Sequence, residues 1–378
     1  MKTLSWCRGI RRTTRTYSST SASSSGRRAE NEGGRHKYGA WVRNRDELGG
    51  RAVGEGKGMS VFGGYAEEYD AQRPSYPATM WDAAISLLLK WRHASQGDLS
   101  LLSAVDVAAG TGRGALELLT RGFGDVTAVD LDAGMLEQLE KKYCEKQKVS
   151  GDQTDGKMAE SRLRTLHSSG DAVSELEDGS VDLVVCLQAF HWFSSYDIAL
   201  REFHRLLSRK GTRESDGLLL VAWNDRDQSV EWVQKYEALI EKYNPAYDRS
   251  LKLAEAVTRE GAIFTDTGLF DIIAGTELPA PLSRTRGVTA SDGGSGRNPT
   301  LRIENPMENC TAATLNALGR TFSYVRNALT EGELESFERE VTALIAEYLR
   351  QNGCVDGFFN LPFITKVYLL RPRTLPPQ

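Results

Sequence analysis

Residues 104–114 read Ala-Val-Asp-Val-Ala-Ala-Gly-Thr-Gly-Arg-Gly, and their pattern is the strongest indication of the fold. Its apolar first half predicts a buried strand, and the glycines that follow predict a tight turn into a helix that begins near Gly114. Gly110 and Gly112 lack the side chains that would keep a ligand away from the main chain, and a helix start adds free amide groups at a positive dipole end. The stretch therefore predicts a small-molecule site at the carboxyl edge of a sheet.

An acidic residue after the next strand narrows the choice of ligand. Residues 126–130, Val-Thr-Ala-Val-Asp, predict a second strand that ends at Asp130. A carboxylate at that distance from a glycine turn accepts hydrogen bonds from ribose hydroxyls, so an adenosine-containing ligand is expected. The spacing Gly110-x-Gly112-x-x-Ala115 also fits the dinucleotide-binding fingerprint, which leaves a nicotinamide cofactor open at this point.

Strands and helices alternate along the middle of the chain. The periodicity predicts strands over 104–108, 126–130, 163–167, 181–187 and 217–223, and helices over 78–93, 114–121, 133–147 and 196–208. Alternation of this kind is typical of an α/β fold with a doubly wound, mainly parallel sheet. From about residue 225 the pattern becomes helical and predicts a cover, with its clearest segments at 229–243, 251–261 and 332–351.

Residues 1–58 differ from the rest of the chain. The first 29 residues contain many serines and basic residues and no acidic residue, which is typical of a transit peptide, and the glycine-rich remainder predicts a disordered linker. Arg15-Thr16-Tyr17-Ser18 resembles the cleavage site of a mitochondrial presequence, so a mitochondrial location is expected. The alternative is a basic tail without targeting value on a cytoplasmic protein. A second polar stretch, 283–300, predicts a flexible insertion.

Composition excludes several classes of function. The net charge is −4 and the basic residues of the folded part are scattered, so a nucleic-acid surface is not predicted. The five cysteines lie far apart without a Cys-x-x-Cys pair, which speaks against a metal site or a disulfide framework. No apolar run approaches the length that spans a bilayer, so no membrane anchor is expected. Nothing in the sequence indicates the oligomeric state.

Four further motifs follow one another in the order of a known family. They are Tyr69-x-x-x-Arg73-Pro74-x-Tyr76-Pro77, Gly170-Asp171-Ala172, Gln188-Ala189-Phe190-His191-Trp192 and Ala222-Trp223-Asn224. Together with the glycine turn they resemble class I S-adenosylmethionine-dependent methyltransferases, in particular the methyltransferase type 11 subgroup that contains trans-aconitate methyltransferase. The resemblance covers residues 59–372, with a cofactor-binding half at about 100–224 and a helical cover with the last strands at about 225–372. It implies a Rossmann-like seven-stranded sheet, completed by strands near 270–277 and 363–370, the last one antiparallel.

The resemblance also implies the ligands and their contacts. S-adenosylmethionine is the expected cofactor, and the expected reaction is in-line methyl transfer to a small-molecule acceptor, at a carboxylate or a hydroxyl group. The residues expected at the cofactor are Asp106, Ala108, Gly110, Gly112, Asp130, Met135, Asp171, Ala172 and Gln188. Among these, Asp171 and Ala172 stand at the adenine position, Met135 packs either on adenine or in the core, and Ala108 replaces the glycine that the family usually has.

The acceptor side is expected to involve Tyr69 and Arg73, from a segment that covers the cofactor in resembling enzymes, and Trp192. Arg73 offers a planar fork for a carboxylate, or else only shapes a turn with Pro74. His191 follows a strand at the carboxyl edge, where its imidazole can take a proton from the acceptor; alternatively, it shapes the pocket wall with Trp192. No metal ligands are expected.

Two other functions remain open from the sequence. One is a nicotinamide-dependent oxidoreductase, which the chain supports poorly because no Tyr-x-x-x-Lys or similar hydride-transfer pair follows the fifth strand. The other is a cofactor-binding fold without activity that acts as an assembly partner, for which Ala108 and the long insertions speak. Binding of S-adenosylhomocysteine as opposed to NADH separates the first alternative from methyl transfer.

Overall fold

A computed structural model describes residues 10–14, 66–153, 162–208, 217–247, 261–279, 282, 285–292 and 298–374. The strands within these ranges are β1 (Ile10–Thr14), β2 (Ser103–Val107), β3 (Asp125–Asp130), β4 (Arg162–His167), β5 (Leu183–Leu187), β6 (Leu218–Arg226), β7 (Phe270–Ile272), β8 (Val288–Ala290), β9 (Leu301–Glu304), β10 (Met307–Cys310), β11 (Phe359–Leu361) and β12 (Phe363–Pro372). The helices are α1 (Ala66–Gln72), α2 (Ala78–Trp91), α3 (Arg113–Arg121), α4 (Ala133–Gln153), α5 (Tyr196–Leu207), α6 (Glu231–Tyr243), α7 (Ala262–Asp266), α8 (Ala312–Arg320), α9 (Ser323–Arg326) and α10 (Glu331–Gln351).

The main sheet runs in the order β1-β4-β3-β2-β5-β6-β12-β9-β8, with β7 also paired to β12. Strands β1 to β6 pair with one another in parallel. Strand β12 is antiparallel to β6, β7 and β9. The predicted doubly wound, mainly parallel sheet with an antiparallel last strand is thus confirmed. The seven predicted strands are β2 to β7 and β12, and within the described residues β1, β8 and β9 extend the sheet at its edges.

Both faces of the sheet are covered, which explains why its central strands read as almost unbroken apolar runs. One core cluster joins the sheet to α2, α3 and α4. A second cluster joins the opposite face to α5 and α7. Because the two helical layers enclose the sheet, polar groups meet a ligand mainly at the carboxyl ends of the strands.

The turn after β2 has an unusual backbone. Ala108 and Gly110 both have φ near 54° and Gly112 has φ of 82°, so three residues within five occupy the left-handed region. A Cβ on Gly112 would lie 2.0 Å from Cδ1 of Leu139 on α4. Gly112 is therefore required both for its backbone conformation and for close packing of the turn on α4. Ala108 adopts a conformation that glycine prefers, although it carries a methyl group.

The predicted helical cover is present as α6, α8 and α10, packed with the two-stranded sheet β10-β11 around a third core cluster. A buried ion pair ties this cover to the main sheet, since Nε of Arg226 at the end of β6 lies 2.6 Å from Oε1 of Glu237 on α6. The Glu237 side chain is completely buried. The Tyr247 hydroxyl donates a hydrogen bond to Glu237, and the Tyr324 hydroxyl accepts one from Arg226. Residues 251–260, part of another predicted cover helix, lie outside the described residues.

The structure differs from the prediction within residues 283–300, and it describes only a small part of residues 1–58. The flexible insertion predicted at 283–300 contains a strand, β8, which pairs antiparallel with β9. The reason is that Val288-Thr289-Ala290 has the β-branched character of a strand and meets an open edge of the sheet. Of residues 1–58, the structure describes 10–14, a short strand at the opposite edge beside β4. The transit peptide stays a prediction.

Removing Glu237 should expose how strongly the cover depends on its ion pair. In Glu237→Ala the Arg226 charge stays buried without its carboxylate, so we expect the free energy of unfolding to fall by about 3–5 kcal/mol. Urea unfolding followed by circular dichroism measures the change. The double variant Arg226→Met with Glu237→Leu removes both charges and should lie much nearer to the wild type. Equal losses in the two variants would contradict the charge argument.

Replacing Ala108 by glycine should relieve the strained turn. We expect Ala108→Gly to raise the free energy of unfolding by up to about 1 kcal/mol, because the left-handed conformation costs alanine more than the added chain entropy costs glycine. Thermal unfolding with and without S-adenosylhomocysteine is the measurement. The control is the neighbouring Ala109→Gly, whose backbone does not have a positive φ, and this change should lower stability by about 0.5–1 kcal/mol. If Ala108→Gly lowers the free energy of unfolding as much as Ala109→Gly does, the argument that Ala108 is strained is wrong.

Candidate functional site

A pocket opens at the carboxyl ends of β2, β5 and β6. It is lined by Arg73, Pro74, Tyr76, Asp106, Ala108, Ala109, Gly110, Thr111, Arg113, Gly114, Leu187, Gln188, Asn224 and Phe363. The predicted site residues that the structure brings together here are Arg73, Asp106, Ala108, Gly110 and Gln188. The glycine turn forms one wall and the segment from Arg73 to Tyr76 forms another.

Gly110 is the point where the main chain is most open to a ligand. A Cβ built on it has no atom within 4 Å, so the space beside it is free. Gly114, at the start of α3, has the opposite role, because a Cβ there would lie 2.6 Å from Oδ2 of Asp106. The first glycine leaves room for a ligand, and the second leaves room for a carboxylate of the protein itself.

Asp106 is a buried carboxyl group at the bottom of the pocket. Its Oδ2 accepts a hydrogen bond from the Ala115 amide at 2.7 Å, and its side chain is almost fully buried. Burial raises the pKa of Asp106 to about 7, and the nearby Asp130 charge acts in the same direction. Asp106 therefore joins β2 to the first turn of α3 and carries only part of its negative charge near pH 7.

Asp130 lies beside the pocket at the end of β3. Its Oδ2 accepts from the Gly110 amide at 2.7 Å and its Oδ1 accepts from the Asp132 amide at 2.8 Å. Burial raises the pKa of Asp130, and these two amide hydrogen bonds act in the opposite direction. Each carboxylate oxygen keeps a second lone pair, so the group holds the turn and can still accept from ribose hydroxyls.

The residues predicted at the adenine ring lie after β3 and β4, which are the next strands beyond β2. Met135 is buried in the first turn of α4, and its amide donates to Oδ1 of Asp132 at 3.3 Å. Asp171 accepts a hydrogen bond from the Ser169 hydroxyl, and the Ala172 amide donates to the Ser169 carbonyl at 3.2 Å. None of these three residues lines the pocket described above, and their contact with adenine stays a prediction.

Asp70, on α1, was missed by the sequence analysis although it lies within the motif from Tyr69 to Arg73. Its carboxylate accepts from the Thr111 hydroxyl at 2.6 Å and from Nζ of Lys142 at 2.9 Å, and it pairs with Nε of Arg113 at 3.3 Å. Burial raises the pKa of Asp70, but these partners outweigh it and hold that pKa below its usual value. Asp70 therefore seats α1 on the glycine turn. The Tyr69 side chain lies outside the described residues.

Arg73 lines the pocket and contacts the residues that directly follow α8. Its guanidinium carbon is 4.6 Å from the ring centroid of Phe322, and its Nη2 donates to the Thr321 carbonyl at 3.1 Å. Gln188 also lines the pocket; it has a left-handed backbone, φ 56°, and its Oε1 accepts a hydrogen bond from the Asn224 amide at 2.8 Å. The arrangement brings a cation and a carboxamide to the same wall, where they can bind a polar acceptor.

His191 is held by a neighbouring indole. Its Nδ1 accepts a hydrogen bond from Nε1 of Trp223 at 3.3 Å, and the ring lies beside Trp192, which is 45% exposed. Burial lowers the pKa of His191 to about 4; the Asp225 charge opposes that change and the Arg73 charge adds to it. The ring is therefore neutral near pH 7, with its proton on Nε2. Neither His191 nor Trp192 lines the pocket described above.

Other features of the described residues bear on ligands. No group of three or more histidine, cysteine, aspartate or glutamate side chains among them is placed to hold a metal ion. No helix in the same part of the chain has the length and apolar character needed to cross a bilayer.

Residues 105–213 match the family model described as "Methyltransferase domain". An uncharacterized methyltransferase of Schizosaccharomyces pombe, C25B8.09, is 30% identical over 176 residues, which are 46% of this chain and 57% of that protein. The uncharacterized methyltransferase Rv3342 of Mycobacterium tuberculosis is 31% identical over 189 residues, 50% of this chain and 62% of that protein. The matches thus span about three fifths of the length of these relatives.

Two solved structures show some similarity to this chain. One is an S-adenosylmethionine-dependent methyltransferase from Thiobacillus denitrificans in complex with S-adenosyl-L-homocysteine, with 15% identity, a TM-score of 0.42 and coverage of 83% of this chain and 100% of that one. The YcgJ protein from Bacillus subtilis has 18% identity, a TM-score of 0.39 and coverage of 77% and 99%. The match to the methyltransferase family model thus falls on the part of the chain that holds strands β2 to β5 and the glycine turn with the acidic strand residues Asp106 and Asp130.

Proposed function

We propose that this protein binds S-adenosylmethionine at the carboxyl edge of its sheet and transfers the methyl group to a small-molecule acceptor. The observation that carries this proposal is the pocket itself, which joins the open main chain at Gly110 to a polar wall made by Arg73, Gln188 and Asn224. One end suits a nucleoside with its amino-acid tail, and the other end suits a small polar molecule.

The residues present fit the cofactor. Gly110 leaves space at the main chain, Asp130 offers carboxylate lone pairs at the end of β3, and Asp106 lies below without adding a strong charge. Bound there, the cofactor supplies a methyl group that its sulfonium has already activated. The work of the protein is then to align the acceptor with that methyl group and to exclude water. The segment from α1 to Tyr76, seated by Asp70, covers this side of the pocket.

For the acceptor we propose a small molecule that carries a carboxylate group. Arg73 is a planar cation stacked on Phe322, a setting that limits its rotation and suits bidentate binding of a carboxylate. The methylated atom is then a carboxylate oxygen, which would attack the methyl carbon in line with the carbon–sulfur bond that breaks, so that the thioether leaves; a hydroxyl oxygen would in addition need a base to take its proton. A panel of small dicarboxylic and tricarboxylic acids, with phenols as the comparison class, tests this with labelled methyl donor.

The proposed part of His191 is to shape the acceptor side rather than to remove a proton. Since Nδ1 is occupied by Trp223 and the ring is neutral, its free polar group is the Nε2 hydrogen, which donates rather than accepts. An acceptor that is already an anion needs no base, which agrees with a carboxylate. A base role for His191 would require the opposite tautomer.

Asp130→Asn tests cofactor binding. We expect the dissociation constant of S-adenosylhomocysteine to rise about 10- to 100-fold, because charge-assisted hydrogen bonds to the ribose are lost while the side chain keeps its shape. Isothermal titration measures it, with the exposed Asp178→Asn as the matched control. NADH is titrated in parallel. Binding of NADH in place of S-adenosylhomocysteine would favour the oxidoreductase, and binding without turnover on any acceptor would favour an inactive assembly protein.

His191→Asn should change the dependence of stability on pH. The pKa of His191 is about 4 in the folded protein against an ordinary 6.5, so the unfolded chain takes up the proton first as the pH falls through that window. We therefore expect the wild type to lose about 1–2 kcal/mol more stability than the variant between pH 7 and pH 5. Urea unfolding at both pH values measures the difference. The opposite contribution of Asp106 is present in both proteins and cancels. The exposed His93→Asn is the control, and identical pH profiles for wild type and His191→Asn would contradict the neutral buried ring.

A further inference from the structure

The main chain between α1 and α2 accepts hydrogen bonds from the side chains of two asparagines, Asn224 and Asn305. Nδ2 of Asn224, at the carboxyl end of β6, lies 3.4 Å from the Pro74 carbonyl oxygen and 3.3 Å from that of Ser75. Nδ2 of Asn305, which follows β9, lies 2.8 Å from the same Ser75 oxygen. Two consecutive main-chain carbonyl groups thus accept hydrogen bonds from the side chains of Asn224 and Asn305.

The carboxamide of Asn224 is fixed in this orientation. Its Oδ1 accepts from the Thr365 hydroxyl at 2.6 Å and from Nδ2 of Asn305 at 3.2 Å. Thr365 stands directly opposite Asn224 in the pairing of β12 with β6, so the sheet register itself sets the contact. With its oxygen satisfied from the sheet, the amide nitrogen is left to donate toward Pro74 and Ser75.

The main chain of Asn224 is tied down as well. Its amide donates to Oε1 of Gln188 at 2.8 Å, and its carbonyl accepts from Nε2 of the same side chain at 3.4 Å. Asn224 is 8% exposed. A buried polar network is costly unless every member is satisfied, and a strand at this position needs no polar residue for its own pairing. We therefore look for the role of this network in the segment that it contacts, at Pro74 and Ser75.

What it holds is the wall of the pocket. Arg73 and Tyr76 flank the two captured carbonyl groups, and both side chains line the pocket together with Asn224. A shift of the main chain at Pro74 and Ser75 would move both side chains relative to the glycine turn. We propose that Asn224 and Asn305 are positioning residues, which fix the segment 73–76 so that Arg73 and Tyr76 form the acceptor subsite. The nature of the occupant rests on the proposed function, whereas the anchoring does not.

Asn224→Asp is the sharpest variant because it keeps the shape of the side chain. It replaces the donating nitrogen with a carboxylate oxygen that faces two carbonyl oxygens, so attraction becomes repulsion. Asn305→Ala removes one of the donors to Ser75 and should give a smaller effect. The matched control is Asn316→Ala in the helical cover, where Nδ2 donates to the Glu338 carbonyl at 3.3 Å and to the Thr342 hydroxyl at 3.2 Å.

Three measurements are made on each full-length variant. They are the dissociation constant of S-adenosylhomocysteine, the kinetics of methyl transfer to the best carboxylic acid of the panel, and hydrogen–deuterium exchange of the peptides spanning residues 66–80 with S-adenosylhomocysteine bound. For Asn224→Asp we expect the acceptor KM to rise about ten-fold or more, a change of less than about three-fold in cofactor affinity, and faster exchange confined to those peptides. Asn305→Ala should follow in the same direction, and Asn316→Ala should change none of the three.

Two results would overturn the inference. One is unchanged exchange of the 66–80 peptides in Asn224→Asp, which would show that the carboxamide does not hold the segment. The other is a parallel loss of cofactor affinity and turnover without a KM change, matched by Asn316→Ala, which would leave Asn224 with a general role in folding. If the wild type methylates no acid of the panel, the proposed acceptor fails, and the exchange measurement decides the anchoring by itself.

Discussion

The hydrogen bond from the Ala115 amide to the Asp106 carboxylate is the contact on which the site depends. It joins the strand that ends at the glycine turn to the helix that leaves it, over 2.7 Å, in a fully buried setting. The contact requires a glycine at position 114, where a Cβ would overlap the carboxyl group. The turn between the two elements has left-handed backbone at Ala108 and Gly110, and the space beside Gly110 is open.

Strand β6 ends with three polar residues in succession. Asn224 holds the segment over the pocket, Asp225 pairs with Lys366 of β12 at 3.0 Å, and Arg226 pairs with Glu237 of the cover. Successive side chains of a strand point to opposite faces, so neighbouring residues of one strand reach different partners. This short stretch therefore links the sheet, the pocket wall and the helical cover.

The sequence pattern alone predicted those helices and strands whose own residues show a clear periodicity. The alternation of apolar runs and amphipathic helices predicted β2 to β6 and α2 to α5, because both kinds of element reveal themselves by their own periodicity. Strands β8 to β11 were not predicted, since each has three or four residues and its conformation depends on pairing with another strand. The insertion around β8 looked like a loop for the same reason.

The candidate site shows the same division. Gly110, Asp106 and Asp130 could be recognised because strand, turn and helix are contiguous, and the spacing of such residues has a mechanical meaning. Asp70 and Asn305 could not, because nothing local tells an ordinary surface residue from one that meets the glycine turn or the Ser75 carbonyl. Arg73 was found through a motif, but its stacking on Phe322 depends on a segment some 250 residues further along the chain.

The distribution of charge in the site argues for the kind of molecules it holds. Asp106 has a pKa near 7 and His191 one near 4, so at neutral pH one carries only part of its charge and the other carries none. Two further groups are the Asp130 carboxyl, which accepts a hydrogen bond from the Gly110 amide beside the turn, and the Arg73 guanidinium, which lines the pocket. A hydroxyl-rich sugar suits the first, and an anion suits the second.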